Sequence, residues 1–323
     1  MSPRGENIAV VGAGQMGCSI AYALAAAGHR VDLFDPIEGA REAIPGRLAA
    51  IEAQLGERVV VRVHDSLAAA VAEADVVIEA GPENLATKQA IFAELVRAAP
   101  VWALLATNTS AIPIAKIAAG LPTAGRVLGT HFWNPPHLIP LVEVVEAETT
   151  EAETVERMIG FLRGAGMRPV HVRADIPGFI GNRLQHALKR EAIAIVAAGH
   201  CDAEALDEVV RHGFGARLGV LGPLEQSDLN GLELTLAIHE TLMPDLDRTP
   251  VAHPYLVEKV ERGETGAATG RGFRAWAEGE ADEVRARVTR ELLRRRAAER
   301  TSSNDGMGTL DGVGNEKVRS DAQ

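Results

Sequence analysis

The sequence predicts an α/β protein, a Rossmann-type, doubly wound and mostly parallel sheet followed by a smaller all-α domain. Three observations predict it. Up to about Asp175, short β-branched runs alternate with Ala- and Leu-rich segments of helical period. That alternation is the pattern of a sheet with helical crossovers. A glycine turn joins the first strand to the first helix, and beyond Asp175 the periodicity is almost wholly helical. The spacing places the first domain at residues 1–174, the helical domain at 175–300 and a polar, Gly-rich tail at 301–323, which is expected to be disordered.

In chain order, Asn7–Val11 reads as a strand and Met16–Ala27 as a helix closed by Gly28. Strand Arg30–Asp35 precedes a helix over Ile37–Leu55, expected to break near Pro45. Strand Arg58–Val63, helix Ser66–Ala74, strand Asp75–Glu79, helix Asn84–Ala98 and strand Trp102–Thr107 follow. Pro113–Ala119 reads as a short helix, Arg126–His131 and Leu141–Val145 as strands, Glu151–Gly164 as a helix and Pro169–Val172 as a strand. Pro177 suits the first turn of the next helix, which would put Asn182 about a turn and a half along it. Breaks in the helical half are expected at Gly199, Gly213–Gly215, Gly219–Pro223, Met243–Pro254 and Gly263–Gly272.

Gly12-Ala13-Gly14-Gln15-Met16-Gly17 follows a strand and opens a helix. In that context the first glycine makes a tight turn and the second admits a pyrophosphate to the backbone. The third lets helix and strand pack closely, and the helix N-terminus offers amide donors to phosphate. The second strand ends at Asp35, 18 residues after Gly17, where a carboxylate can bind the adenosine ribose hydroxyls and repel a 2′-phosphate. Pro36-Ile37 bring no arginine to hold such a phosphate. NAD is therefore expected rather than NADP; a Rossmann fold holding another adenine nucleotide or a flavin is the alternative.

A dehydrogenase needs a base near the alcohol. His131 is placed at a strand end on the carboxyl edge of the sheet, where open α/β sheets bind ligands. Glu143 comes 12 residues later inside the apolar run Leu141-Val142-Glu143-Val144-Val145, and a carboxylate buried there needs a partner. The stiff connection through Asn134-Pro135-Pro136 and Pro140 could fold it back to orient the imidazole. On spacing alone, Glu143 could equally face solvent while His131 merely caps its strand.

Several segments taken together resemble the 3-hydroxyacyl-CoA dehydrogenase family. They are Thr107-Asn108-Thr109-Ser110, His131-Phe132-Trp133-Asn134-Pro135-Pro136 and Pro140–Val144, then Asp175-Ile176-Pro177-Gly178-Phe179-Ile180-Gly181-Asn182-Arg183-Leu184. Gly222–Glu225, Asp228–Leu232 and Thr269–Phe273 extend the likeness, which spans about residues 6–277 in order. The resemblance implies His131 as general base, Glu143 as its partner, and Ser110 and Asn182 as donors to the substrate's reacting oxygen. It further implies Asn134 close to the nicotinamide, with Glu83 and Lys88 around the cofactor. A homodimer through the helical domain is expected on the same ground.

The match departs in one place. Acyl-CoA members carry a long helical hairpin between the second and third strands that helps hold CoA. Here only 22 residues separate Asp35 from Arg58, with Arg41 and Arg47 set against Glu38, Glu42, Glu52 and Glu57. Features such as Gly81–Leu85 and Asn134–Pro140 also resemble the L-gulonate and carnitine 3-dehydrogenase branch and a pyridine-carboxylate branch. The expected reaction is oxidation of a 3-hydroxyacyl-CoA, with a small free hydroxy acid as the alternative substrate. A non-catalytic NAD-binding protein is the reading from another class.

The remaining signals are plainer. A net charge of −11 argues against a nucleic-acid partner, and no apolar run reaches the roughly 18–20 residues of a membrane helix. Cys18 and Cys201, far apart, suggest a reduced, cytoplasmic chain without a disulfide, and no signal peptide or metal site is read. The arginines at 285, 287, 290, 294, 295, 296 and 300, interleaved with Glu283, Glu291 and Glu299, read as a solvated helix face.

Overall fold

Of the 323 residues, the computed structural model describes 5–306, with side chains described as far as Glu299. Asn7–Val11 forms β1 and runs into Gly12, whose φ of 110° turns the chain toward α1 (Gln15–Ala26). There follow β2 (Arg30–Phe34), α2 (Glu38–Glu42), α3 (Ile44–Leu55), β3 (Val61–His64), α4 (Leu67–Val71) and β4 (Val76–Glu79). Next come α5 (Leu85–Ala98), β5 (Leu104–Thr107), α6 (Ile114–Ile117), β6 (Val127–Phe132), β7 (Leu141–Val145), α7 (Ala152–Gly164) and β8 (Arg168–Val172). Ser66 and Asn84 cap α4 and α5, their side-chain oxygens accepting from Ala69 N–H and Thr87 N–H.

The eight strands lie in the order β3-β2-β1-β4-β5-β6-β7-β8. Neighbours from β3 through β6 are parallel. β7 turns back antiparallel to β6, and β8 runs parallel to β7. The order reverses between β1 and β4, which opens a crevice at their carboxyl ends. Alternate residues of each strand serve opposite faces. Ile8, Val10, Leu33 and Ile78 join the apolar cluster on one side, and Ala9, Val11, Val77 and Leu105 join the cluster on the other.

One expectation is met and two local differences from the sequence reading have physical causes. The helical segment after β2 breaks at Ala43, next to Pro45 as expected, and the proline is accommodated in the first turn of α3. β3 starts at Val61, since β2 offers ladder partners only from Val31 on and leaves Val60 exposed. Pro177–Ile180 form a turn instead of the start of a helix. Gly178 (φ 76°) and Phe179 (φ 49°) both adopt left-handed backbone, which no helix allows, so the helix begins at Gly181 and Asn182 sits in its first turn.

The second half consists of α8 (Gly181–Ala197), α9 (Ala203–His212), α10 (Gly215–Leu218), α11 (Pro223–Asn230), α12 (Leu232–Leu242), α13 (Pro254–Glu261) and α14 (Glu280–Gly306). The chain divides into two compact units, one running to Ile180 and resuming at Val288, the other spanning Gly181–Arg287. The division thus falls later than residue 174, because Phe179 is buried in the sheet unit's core. The far part of α14 also belongs with the sheet. Between Gly181 and Arg287 only Gly272 is buried. α14 continues past Arg300 to Gly306, and the remainder of the expected tail lies outside the described residues. Among the described residues no helix is long and apolar enough to cross a membrane.

Candidate active site

The glycine turn is built as its spacing demands. A Cβ on Gly12 would stand 2.6 Å from the Ala80 carbonyl oxygen, and one on Gly17 only 1.8 Å from that of Gly12. These two glycines are therefore fixed by close backbone approach. A Cβ on Gly14 would meet nothing within 4 Å, so its backbone borders open space at the amino end of α1. Gly14 and Gln15 are exposed and Met16 half-buried, leaving the helix end accessible to a pyrophosphate. This cradle fits a dinucleotide.

Asp35 sits directly after β2, and its two oxygens accept from Ala13 N–H (2.8 Å) and Ile37 N–H (2.9 Å). The carboxylate is thereby held against the glycine loop, with lone pairs left for ribose hydroxyls. Two arginines from α2 and α3 close the ring. Arg41 donates to the Asp35 carbonyl at 2.7 Å, and Arg47 donates to the Ala13 carbonyl at 2.5 Å. An arginine therefore does stand beside Asp35, six residues on, where reading Pro36-Ile37 alone misses it. Cys18 is enclosed, and burial pushes its thiol up while Arg47 works against that, so it serves packing rather than reactivity.

At the ends of β4 and β5 lies a network that sequence reading only partly anticipates. Glu79 and Lys88 are both fully buried, with Lys88 Nζ 2.9 and 3.0 Å from the two carboxylate oxygens. Thr107 Oγ1 and Gly81 N–H also donate to Glu79. Lys88 thus braces the strand ends instead of facing the cleft itself, and its nitrogen lies 3.6 Å from Glu83. Glu83 Oε1 accepts from the Thr109 hydroxyl (2.6 Å), Ser110 N–H (3.0 Å) and Ala111 N–H (3.1 Å). Burial pulls the Glu83 carboxyl up, but the Thr109 hydroxyl, Lys88 and the two amides together hold it below the usual range. This arrangement fixes the loop carrying Ser110, which is exposed. Glu79 was legible in principle, since it ends the apolar strand Val76-Val77-Ile78-Glu79 just as Glu143 interrupts its own.

His131 and Glu143 face each other directly as a register pair of β6 and β7. His131 Nδ1 lies 2.7 Å from Glu143 Oε2, and both side chains are buried. The carboxylate's second oxygen accepts from Ile180 N–H at 2.9 Å. Glu143 is thus held on two sides. The solvent-facing alternative for Glu143 is excluded. An ionised Glu143 accepts a hydrogen bond from Nδ1–H, which leaves Nε2 with its lone pair. Trp133 and Phe179 flank the imidazole, each with its ring centroid 5.6 Å away. Phe179's left-handed backbone presents Ile180 to Glu143, a strained turn set beside a functional group. Asn134 is exposed on the connection after β6. Asn182 belongs to the helical unit, in the first turn of α8.

The glycine cradle, a carboxylate held against it and a paired imidazole on one carboxyl edge fit a Rossmann-type, NAD-dependent oxidoreductase. Residues 7–176 match the description of the 3-hydroxyacyl-CoA dehydrogenase NAD binding domain, and 178–276 that of the C-terminal domain of the same enzymes. The chain belongs to the 3-hydroxyacyl-CoA dehydrogenase family. It is 33% identical to 5-formyl-3-hydroxy-2-methylpyridine 4-carboxylate 5-dehydrogenase of Mesorhizobium japonicum over 297 residues, covering 89% of this chain and 96% of the relative. It is 39% identical to a probable 3-hydroxybutyryl-CoA dehydrogenase of Bacillus subtilis over 280 residues, covering 83% and 96%. A crystal structure of the pyridine-carboxylate enzyme, described as an NAD+ dependent dismutase, superposes with a TM-score of 0.85 at 33% identity. It covers 90% of this chain and 97% of that one. The (S)-3-hydroxybutyryl-CoA dehydrogenase of Ralstonia eutropha gives a TM-score of 0.69 at 29% identity, covering 84% and 99%.

Proposed function

We propose that this dehydrogenase oxidises an alcohol beside an acyl or carboxyl group, with His131 as general base and Glu143 as its orienting partner. The 2.7 Å register pair of His131 and Glu143 carries this reading. NAD bound along the glycine cradle supplies the hydride acceptor. His131 takes the hydroxyl proton at Nε2, and the Glu143 carboxylate stabilises the imidazolium that results. Ser110 donates to the reacting oxygen, and Asn134 borders the nicotinamide. Gly12, Gly14, Gln15, Met16, Gly17 and Asp35 hold the dinucleotide, with Glu83 and Lys88 shaping the loop beside it.

A 3-hydroxyacyl-CoA is one substrate class the family supplies, and a small free hydroxy acid is the other. A specific observation favours the free acid. Arg41 and Arg47, the arginines of the shortened segment, are tied inward to the carbonyls of Asp35 and Ala13. CoA phosphates would find the segment's remaining charge mostly acidic. The superposition with the pyridine-carboxylate enzyme supports the same choice. Homodimerisation through the helical unit is supported by its exposed apolar side chains, among them Leu224, Leu229, Leu232 and Leu236. Two free cysteines suit a reduced cytoplasm.

The test is NADH formation on 3-hydroxybutyryl-CoA beside 3-hydroxybutyrate, L-gulonate, carnitine and a pyridine carboxylate, with His131→Ala as control. Turnover should fall about 10²–10⁴-fold in His131→Ala while NADH affinity stays nearly unchanged. Undiminished turnover removes His131 as the base. A strong preference for the CoA ester removes the free-acid reading.

A further inference from the structure

The arginine-rich stretch of α14 is for the most part the solvated face its sequence suggests. Arg294 and Arg295 pair with Glu291 at 2.8 Å. Arg296 behaves differently. It is half-buried, and its guanidinium donates to the backbone carbonyl of His137, which lies in the connection between β6 and β7. One turn further on, Glu299 lies 3.5 Å from Arg168, the first residue of β8. α14 lies beyond residue 276, where the matched family domains end.

We propose that Arg296 is a positioning residue for the catalytic pair, clamping from α14 the connection that joins the strand of His131 to the strand of Glu143. The proposal rests on the dehydrogenase reading above. The rest of the connection is fixed on its other flank. His137 N–H donates to Ser19 Oγ (3.2 Å), the Ser19 hydroxyl lies 2.6 Å from His137 Nδ1, and His137 Nε2 lies 3.0 Å from Gln54 Oε1. A neutral ring protonated at Nε2 satisfies all three. Burial, helped by the charge of Arg296, pushes this imidazole down to about 4. Arg168 N–H holds the Pro140 carbonyl at 2.8 Å, at the point where the connection enters β7. Toward α14 there is space instead of packing. A cavity of about 530 Å³ lies between the end of α1, the connection and α14, lined among others by Pro136, Leu138, Arg296 and Glu299. Among the described residues, the Arg296 guanidinium meets the backbone across that flank. A charge-assisted hydrogen bond there limits movement of the connection, and small displacements of a base from its proton slow the reaction steeply.

The experiment uses the full chain and the panel substrate that yields NADH fastest. It compares Arg296→Gln and Arg296→Lys with the wild type. The readings are kcat, KM for NAD, the pH dependence of kcat, and amide hydrogen exchange over residues 133–140. Arg296→Gln should lower kcat about tenfold, shift the pH dependence of kcat and speed exchange in the connection, with KM for NAD within about twofold. Arg296→Lys keeps the cation but not the planar fork, so it should recover part of the loss. If only the lysine variant folds, wild-type exchange and an unmoved pH dependence in it overturn the proposal. Faster exchange with unchanged kcat and pH dependence overturns the positioning role alone. Turnover that survives His131→Ala identifies instead a failure of the base assignment.

Discussion

The sheet unit and the helical unit treat their apolar side chains in opposite ways. In the first, Ile8, Val10, Leu33 and Ile78 are at most 1% exposed, whereas in the second Leu224 is 80%, Leu229 73% and Leu236 60% exposed. The sheet closes its own core because helices cover both faces. α8, α9 and α13 are amphipathic, and no residue of α8–α13 is buried, so apolar side chains of this unit stand open. The chemistry sits accordingly. The buried imidazole, its carboxylate and the Glu79–Lys88 pair all belong to the unit that is complete by itself.

This contrast can be broken most sharply by paired substitutions. Ile78→Ala should cost about 2–5 kcal/mol. Its effect on thermal unfolding should be the same at every protein concentration if the sheet core is self-contained. Leu236→Asp should leave that core intact and instead favour the monomer in sedimentation. A concentration-dependent penalty for Ile78→Ala, or an unchanged oligomer in Leu236→Asp, would erase the distinction.

A smaller effect tests the interior of the sheet unit by pH. His137 titrates at about 4 when folded, against 6.5 in an unconstrained chain, because of burial first and Arg296 second. The unfolded chain therefore binds more protons between these values. Stability is complete above pH 6.5 and is lost as pH falls toward 4, by up to roughly 3 kcal/mol. Denaturant midpoints measured across that window should flatten in His137→Asn. The smallest effect concerns the cofactor rim. Asp35→Ala should weaken NAD binding about tenfold and relax the bias against NADP, the more so because Arg41 stays beside the emptied position. An unchanged cofactor ratio would remove Asp35 from that role.

Much of this was readable from periodicity. Strand and helix positions in the first half follow from β-branched runs and capping residues, and Gly12, Gly14 and Gly17 announce the cradle in order. Glu143 was legible because a carboxylate in an apolar strand demands a partner. What escaped depends on contacts distant in sequence or on backbone conformation. Arg47 reaches Ala13 across 34 residues and Arg296 reaches His137 across 159. Neither separation leaves a local pattern. Phe179 gives no sign of its left-handed φ, because bulky residues rarely adopt one without tertiary contacts to hold it. The exposed apolar side chains of α11 and α12 carry no sign in the sequence of what covers them, since periodicity reports which side chains seek cover and not who provides it.

The reversal of β7 against β6 has a consequence for how the enzyme can change over time. His131 and Glu143 lie on one hairpin, Val127–Val145, and face each other through its hydrogen-bond ladder. Two parallel neighbours would have needed a helical crossover to bring them opposite. The pair is therefore encoded by a single short stretch of chain. Insertions elsewhere in the chain leave the register of that hairpin untouched, so the rest of the molecule can be lengthened or shortened without parting the two side chains.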